Sequence, residues 1–302
     1  MADFFASTKI KVLLGFGIFL TIFGIFIAIF GWARKDNNEF QPPNEFKTDA
    51  WVNLPLSLDF NKAVMYLLIA GILTVATMVY VARRMQERPN RVQTAIEVLF
   101  TTMRDNITRN SMDDQMAAKW FPFIGAIFLF IWWSNLIGFI PLPTNTEHTF
   151  DLFGQNIPSF AIYAATANIS VPLALALYVW IAYNWEGIRA KGFVGYLKSF
   201  VPAGVEGAMV IMIFPLEIMS NFMRLISLSV RLFANMLAGH LIILFMGGAL
   251  VVLLGIPALG VITFIPAVAI YLFEVGLVAT LQAFIFATLT AIYLGGAVAD
   301  DH

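Results

Sequence analysis

The sequence predicts an all-α, polytopic membrane protein of about six hydrophobic helices, the last two long and either strongly tilted or folded back as a membrane-embedded hairpin. Two observations lead there. The 302 residues are 60% hydrophobic and only 12% charged, too few polar side chains to coat a water-soluble globule of this size. The apolar residues, 29 phenylalanines among them, gather in runs of roughly 20, the length that crosses a ~30 Å hydrocarbon core, with short charged stretches between. The absence of cysteine excludes a disulfide framework, a thiolate nucleophile and a cysteine metal site. A formal net charge of -1 says little, because the arginines and lysines are concentrated in particular loops.

The first apolar run, residues 12–33, follows Lys9 and Lys11 and should begin in the cytoplasm. A cleavable signal peptide shares that pattern, but the run is longer than a signal core and no clear small-residue cleavage site follows. Residues 34–62 mix acids, prolines and aromatics without period and read as an external loop. A second span, residues 63–82, ends in Arg83, Arg84, Arg88 and Arg91, which marks that end as cytoplasmic. Val92, Ile96, Leu99, Phe100, Met103 and Ile107 then recur at helical spacing, giving either an amphipathic helix on the cytoplasmic interface or a packed connector. The third span, residues 120–140, leads to an external loop that holds Glu147, His148 and Asp151 and no lysine or arginine. A fourth, residues 158–183, returns to Arg189, Lys191 and Lys198. The orientations alternate without contradiction and place both termini in the cytoplasm.

Residues 216–256 contain no proline, and one straight helix of that length would extend ~60 Å, about twice the hydrocarbon thickness. It breaks near Gly247 and Gly248 or lies strongly tilted against other protein, since ordinary mismatch relief is too small. Residues 267–298 pose the same question more mildly. At 100° per residue, Glu217, Ser220, Arg224, Ser227, Arg231 and Asn235 project within about 40° of one direction, a polar stripe along an intramembrane helix. His240 points to the opposite face, and Glu274 and Gln282 add an acid and an amide to the closing helix. An arginine at membrane depth costs at least ~2.5 to 3.5 kcal/mol, so Arg231 needs a partner or an aqueous cavity. Arg224 lies about 10 Å nearer the cytoplasmic end and could snorkel to headgroups. A salt bridge between Arg231 and Glu274 that ties two helices together is the purely structural alternative. It would leave Glu217, Asn235, His240 and Gln282 as buried polar groups with no need.

The run from Ser227 through Arg231 and Asn235 to His240 (SLSVRLFANMLAGH) resembles the signature helix of subunit a of F-type ATP synthases. The run from Thr280 through Gln282 to Tyr293 and Leu294 (TLQAFIFATLTAIYL) resembles that family's final helix. Weaker echoes are Gln93 to Glu97 (QTAIE) and Asn135 to Pro141 (NLIGFIP), so the likeness covers the chain from about residue 60 onward. The resemblance implies an extra N-terminal helix and external loop at residues 1–62, followed by a subunit a membrane domain at 63–302. It further implies a proton-translocating stator with two offset half-channels, beside a rotor ring of c subunits whose carboxyl groups pass Arg231. Partners would be that ring, b-type peripheral stalk subunits and membrane lipid, in what is expected to be a bacterial plasma membrane. Arg231 matches the family's essential arginine, and Asn235, His240 and Gln282 fall on positions around the outer half-channel. Glu217 and Ser227 match positions near the inner one.

Three departures from the family pattern carry consequences. Glu274 lies eight residues before Gln282, where the family places its acid or histidine seven before; a one-residue bulge, which Gly276 would tolerate, restores the direction. Thr166-Ala-Asn168-Ile-Ser170 stands where aspartate and asparagine are usual, which leaves Asn168 and shifts proton entry toward Glu147 or Asp151. Ala234 replaces a usual glycine and tightens the approach beside Arg231. The chain is expected to be no enzyme by itself, with no cofactor, metal or nucleic acid. It lacks a phosphate-cradling glycine loop with lysine, so no nucleotide is bound directly through that device. A proton-coupled secondary transporter would also bury Arg, Glu and His, but should show two related halves, and no internal repeat is visible.

Overall fold

The computed structural model describes residues 17, 18, 20, 21, 24, 25, 46–48, 50–52, 60–84, 91–152, 155–201, 205, 207–249 and 259–299. The expected first span lies almost wholly outside these residues. The chain divides into two compact units, a larger one of Thr48–Ala238 and Val275–His302 and a smaller one of Met1–Lys47 and Gly239–Glu274.

In the larger unit, strands β1 (Ala50–Val52) and β2 (Phe60–Asn61) pair antiparallel just before helix α1 (Lys62–Arg84). Asn61 Oδ1 accepts the backbone N–H of Val64 at 3.0 Å, occupying one of the orphan donors that open a helix. Lys62 is buried, with its ammonium 4.9 Å from the centroid of the Tyr163 ring, a cation over a π face. Helix α2 (Arg91–Thr101) runs into a π-helical segment at Thr102–Thr108 and a last turn at Arg109–Ser111. Met103 and Ile107, two of the apolar positions read from the spacing, enter the core, while Phe100 is exposed. Helix α3 (Asp114–Gly138) begins six residues before the expected span.

The fourth span needs correction. Residues 155–161 form no helix: strand β4 (Gln155–Ala161) pairs antiparallel with β3 (Leu142–Leu152), so the external loop is a hairpin. Helix α4 starts only at Ser170 and runs to Lys191, after a 3-10 turn at Ala165–Ala167. A short apolar run carries no local signal separating strand from helix, and here pairing with β3 satisfies the backbone. Asn168 Oδ1 accepts the N–H of Ser170 at 3.1 Å where α4 begins. Helix α5 (Phe193–Lys198) follows.

Helix α6 (Ala208–Leu244) has 37 residues, about 55 Å at ~1.5 Å per residue, so it cannot cross a ~30 Å core upright. It starts earlier than the proline-free stretch suggested and contains Pro215, a tolerance common in membrane helices whose freed carbonyls find other partners. The expected break near Gly247 and Gly248 is a π-helical turn at Phe245–Ala249. Helices α7 (Leu259–Phe273) and α8 (Ala279–Val298) are joined by a second π-helical turn at Glu274–Val278, where comparison with the family pattern implied one extra residue before Gln282.

Among the described residues, four stretches are long and apolar enough to cross a membrane: Lys62–Arg83, Asp114–Gly138, Met209–Leu244 and Ile262–Val298. The larger unit's core joins Ile124, Phe128 and Ile131 of α3, Val179 and Tyr183 of α4, Leu228, Leu232 and Met236 of α6, and Phe286 and Leu294 of α8. Within the larger unit, α6 and α8 thus share one core. In the smaller unit, the π-helical turn at Phe245–Ala249 packs against α7.

Candidate functional site

Helix α6 has two contrasting faces within the larger unit. Leu228, Leu232 and Met236 are buried in the core. Ser220, Arg224, Ser227 and Arg231 are exposed, and Glu217 and Asn235 are half-buried. The polar stripe thus lies on the side that the unit does not cover. Among the described residues Arg231 makes no ion pair; the pairs present there are Arg109 with Asp105 and Asp114, and Lys119 with Glu186. Packing explains the arrangement: the apolar residues fill the space against α3, α4 and α8, and the helical period sends the polar ones away from it.

Toward the start of α6 the stripe meets a cavity of about 270 Å³ lined by Glu217, Asn221, Arg224, Tyr183, Tyr196 and Lys191, with Ser199 at its edge. The Arg224 guanidinium sits 5.4 Å from the centroid of the Tyr293 ring, so this arginine is held over an aromatic face. A closed set of hydrogen bonds backs the cavity. Tyr183 donates to Asn221 Oδ1, Asn221 Nδ2 donates to Asn184 Oδ1 at 2.9 Å, and Tyr196 Oη donates to the same oxygen at 2.9 Å. Burial raises the Tyr196 hydroxyl above the ordinary phenol range against the opposing pull of the Arg224 charge, which keeps it a donor. Sequence reasoning missed these four residues. Asn221 stands about 70° from the centre of the stripe, at its flank, and only the fold brings Tyr183, Asn184 and Tyr196 to it.

At the opposite end of α3, Asn135 is fully buried and joins three elements. It accepts the Thr166 hydroxyl at 2.8 Å and donates to the Ala279 carbonyl at 3.2 Å. Gln282 is buried on α8. Asp151 is exposed in β3, opposite Asn156 of β4. Glu147 also lies in β3, with its side chain outside the described set.

The smaller unit holds His240 and Glu274, both buried. The Glu274 carboxyl lies directly against Gly239: a Cβ placed there would come within 2.5 Å of Oε2 and 2.7 Å of Cδ. Glycine at 239 is thus what leaves room for that carboxyl. Glu274 opens the π-helical turn, and its Oε2 has no hydrogen-bond partner among the described residues.

Residues 64–295 match a family model described as ATP synthase A chain. Among similar proteins, ATP synthase subunit a of Nocardioides sp. is 33% identical over 251 residues, 81% of this chain and 84% of that protein. The subunit a of Rubrobacter xylanophilus is 34% identical over 256 residues, 83% and 90% of the two chains. That of Helicobacter pylori is 33% identical over 235 residues, 76% and 88%. With a match across most of its length and relatives aligned along most of theirs, this chain belongs to the ATP synthase A chain family, that of subunit a.

Proposed function

We propose that this chain is the proton-translocating stator of an F-type ATP synthase, with Arg231 facing the carboxyl groups of a ring of c subunits. It is an integral membrane protein and a non-catalytic component; ATP chemistry happens in other subunits. The observation that carries the reading is the outward stripe on α6, whose arginine has no ion pair among the described residues. Leaving that charge at membrane depth costs at least ~2.5 to 3.5 kcal/mol, and in this reading a ring carboxyl is its complement.

The chemistry follows from solvation. A carboxylate cannot face lipid charged without a large desolvation cost, whereas the protonated acid can. A ring carboxyl must therefore take up a proton before it leaves the stator. Near Arg231 the fixed positive charge favours the ionised form and releases the proton. The same charge repels a hydronium that would pass straight between the two half-channels. Glu217, Ser227 and Arg224 serve the inner route. Asn235, His240, Glu274 and Gln282 serve the outer one, with Asn168, Glu147 and Asp151 toward its entry. His240 passes protons or orders water, as an imidazole can. A membrane potential supplies roughly 2.3 kcal/mol per charge per 100 mV, so several protons drive each ATP.

In this reading b-type stalk subunits hold the chain against the ring, and both termini lie in the cytoplasm of a bacterial cell. The test is Arg231→Ala in the assembled complex, with ATP-driven proton pumping followed in inverted membrane vesicles. Pumping is expected to vanish while the complex stays assembled. Undiminished pumping would return the chain to a scaffold role.

A further inference from the structure

The hydrogen-bonded set behind the Glu217 cavity is built from three separate helices. Tyr183 and Asn184 come from α4, Tyr196 from α5 and Asn221 from α6. Asn184 Nδ2 also donates to the Trp180 carbonyl at 2.6 Å, which fixes the orientation of its amide. The Tyr196 ring occupies the space that a Cβ at Gly187 would need, so a glycine in mid-helix admits the phenol to the α4 surface. Tyr183 is 2% exposed and Asn221 and Tyr196 are each 7% exposed, yet all three line the cavity. They form a rigid neutral wall on one side, and Glu217 and Arg224 supply the charges.

Side-chain amides neither accept nor release protons near neutral pH, so a chain that passes through Asn184 and Asn221 conducts nothing. The conducting medium has to be water. A cavity of about 270 Å³ exceeds the ~30 Å³ share of a single water several-fold, and water stays in a cavity only where polar groups hold it. If Asn221 were apolar, Tyr183 would lose its side-chain acceptor and Asn184 one of the two donors to its Oδ1, and the cavity would present greasy surface to any water beside Glu217.

We propose that Tyr183, Asn184, Tyr196 and Asn221 are positioning residues that hold open a water-filled proton passage beside Glu217 and Arg224. The inference rests on the reading of α6 as part of a proton pathway. It assigns the fixed neutral wall of that passage to these four side chains.

The chain has no native cysteine, so one reporter thiol is unambiguous. Ser199→Cys places it at the cavity, and a membrane-impermeant thiol reagent on inverted vesicles of the assembled complex reads its access to water. Adding Asn221→Leu is expected to slow labelling and ATP-driven pumping together by about fivefold to tenfold, the size of one or two lost neutral hydrogen bonds. The pumping loss is expected to be greater at mildly alkaline than at mildly acidic pH, because proton supply through the narrowed passage becomes limiting. Unchanged labelling and pumping in an assembled Asn221→Leu complex overturn the inference. If that variant does not assemble, Tyr183→Phe, which removes one hydroxyl, decides on the same two readouts. Arg231→Ala in the same vesicles separates the levels: pumping that survives it defeats the stator reading itself. Pumping lost there but intact in Asn221→Leu defeats only the water-passage inference.

Discussion

At residue scale, the contact between Gly239 and Glu274 makes a sharp prediction. A methyl group at position 239 would meet the carboxyl at 2.5 Å, but that carboxyl is the free end of a flexible side chain and can swing away. Alanine also gains about 0.5 to 1 kcal/mol over glycine inside a helix, which offsets a similar overpacking cost near the low end of ~1 to 3 kcal/mol. Gly239→Ala is therefore expected to leave thermal unfolding of the complex nearly unchanged while proton pumping falls several-fold, because the acid is displaced from its place against position 239. Parallel loss of stability and pumping would instead mean that the site collapses. Arginine at 231 follows a related logic, since a lysine covered by a neighbouring subunit could shed its proton, whereas a guanidinium keeps its charge.

At the scale of elements, Asn135 and the π-helical turn at Glu274–Val278 are the places where helix geometry answers to chemistry. Asn135 ties α3 to the Ala165–Ala167 turn and to α8 through two hydrogen bonds, all in a dry environment. Asn135→Ala leaves the buried Thr166 hydroxyl without its acceptor, and a loss of about 2 to 3 kcal/mol is expected, read as a lower unfolding midpoint of the detergent-solubilised complex. A π-helical turn is an α-helix with one residue inserted, so removing one residue there returns ordinary helix. Deletion of Gly276 should thus permit assembly. Deleting Thr288 in the α-helical part of α8 would rotate the following residues by about 100° and pull Thr290, Ala291 and Leu294 out of the core. Comparing assembled complex in membranes from the two deletions checks this; equal loss would show that the turn is not a simple insertion.

At the scale of the molecule, the arrangement follows from a division of labour between faces. The core joins α3, α4, α6 and α8 through aliphatic and aromatic side chains, while the polar stripe of α6 is left for whatever adjoins the chain. In the proposed orientation, the basic residues at the ends of α1 and α4 face the cytoplasm, as the positive-inside preference favours. A single cysteine at Ala299, just beyond α8, is accordingly expected to react with an impermeant thiol reagent in inverted vesicles and to be shielded in intact cells. The reverse pattern would turn the whole chain over and exchange the inner and outer routes.

What the sequence determined by itself were the features set by local rules: membrane residence from composition, four of the spans from run length, and the division of α6 into polar and apolar faces from the 100° advance per residue. The resemblance to the family, with one residue more between Glu274 and Gln282 than the family's pattern has, also pointed to a bulge near Gly276, where the π-helical turn lies. The strand at Gln155–Ala161 and the late start of α4 at Ser170 were decided by tertiary structure, because an apolar run becomes a strand only when a partner strand is there to take its hydrogen bonds. Likewise Tyr183 meets Asn221 across 38 positions and Asn135 meets Thr166 across 31. Periodicity describes which way a side chain leaves its own helix; which distant group it finds there depends on how the helices pack.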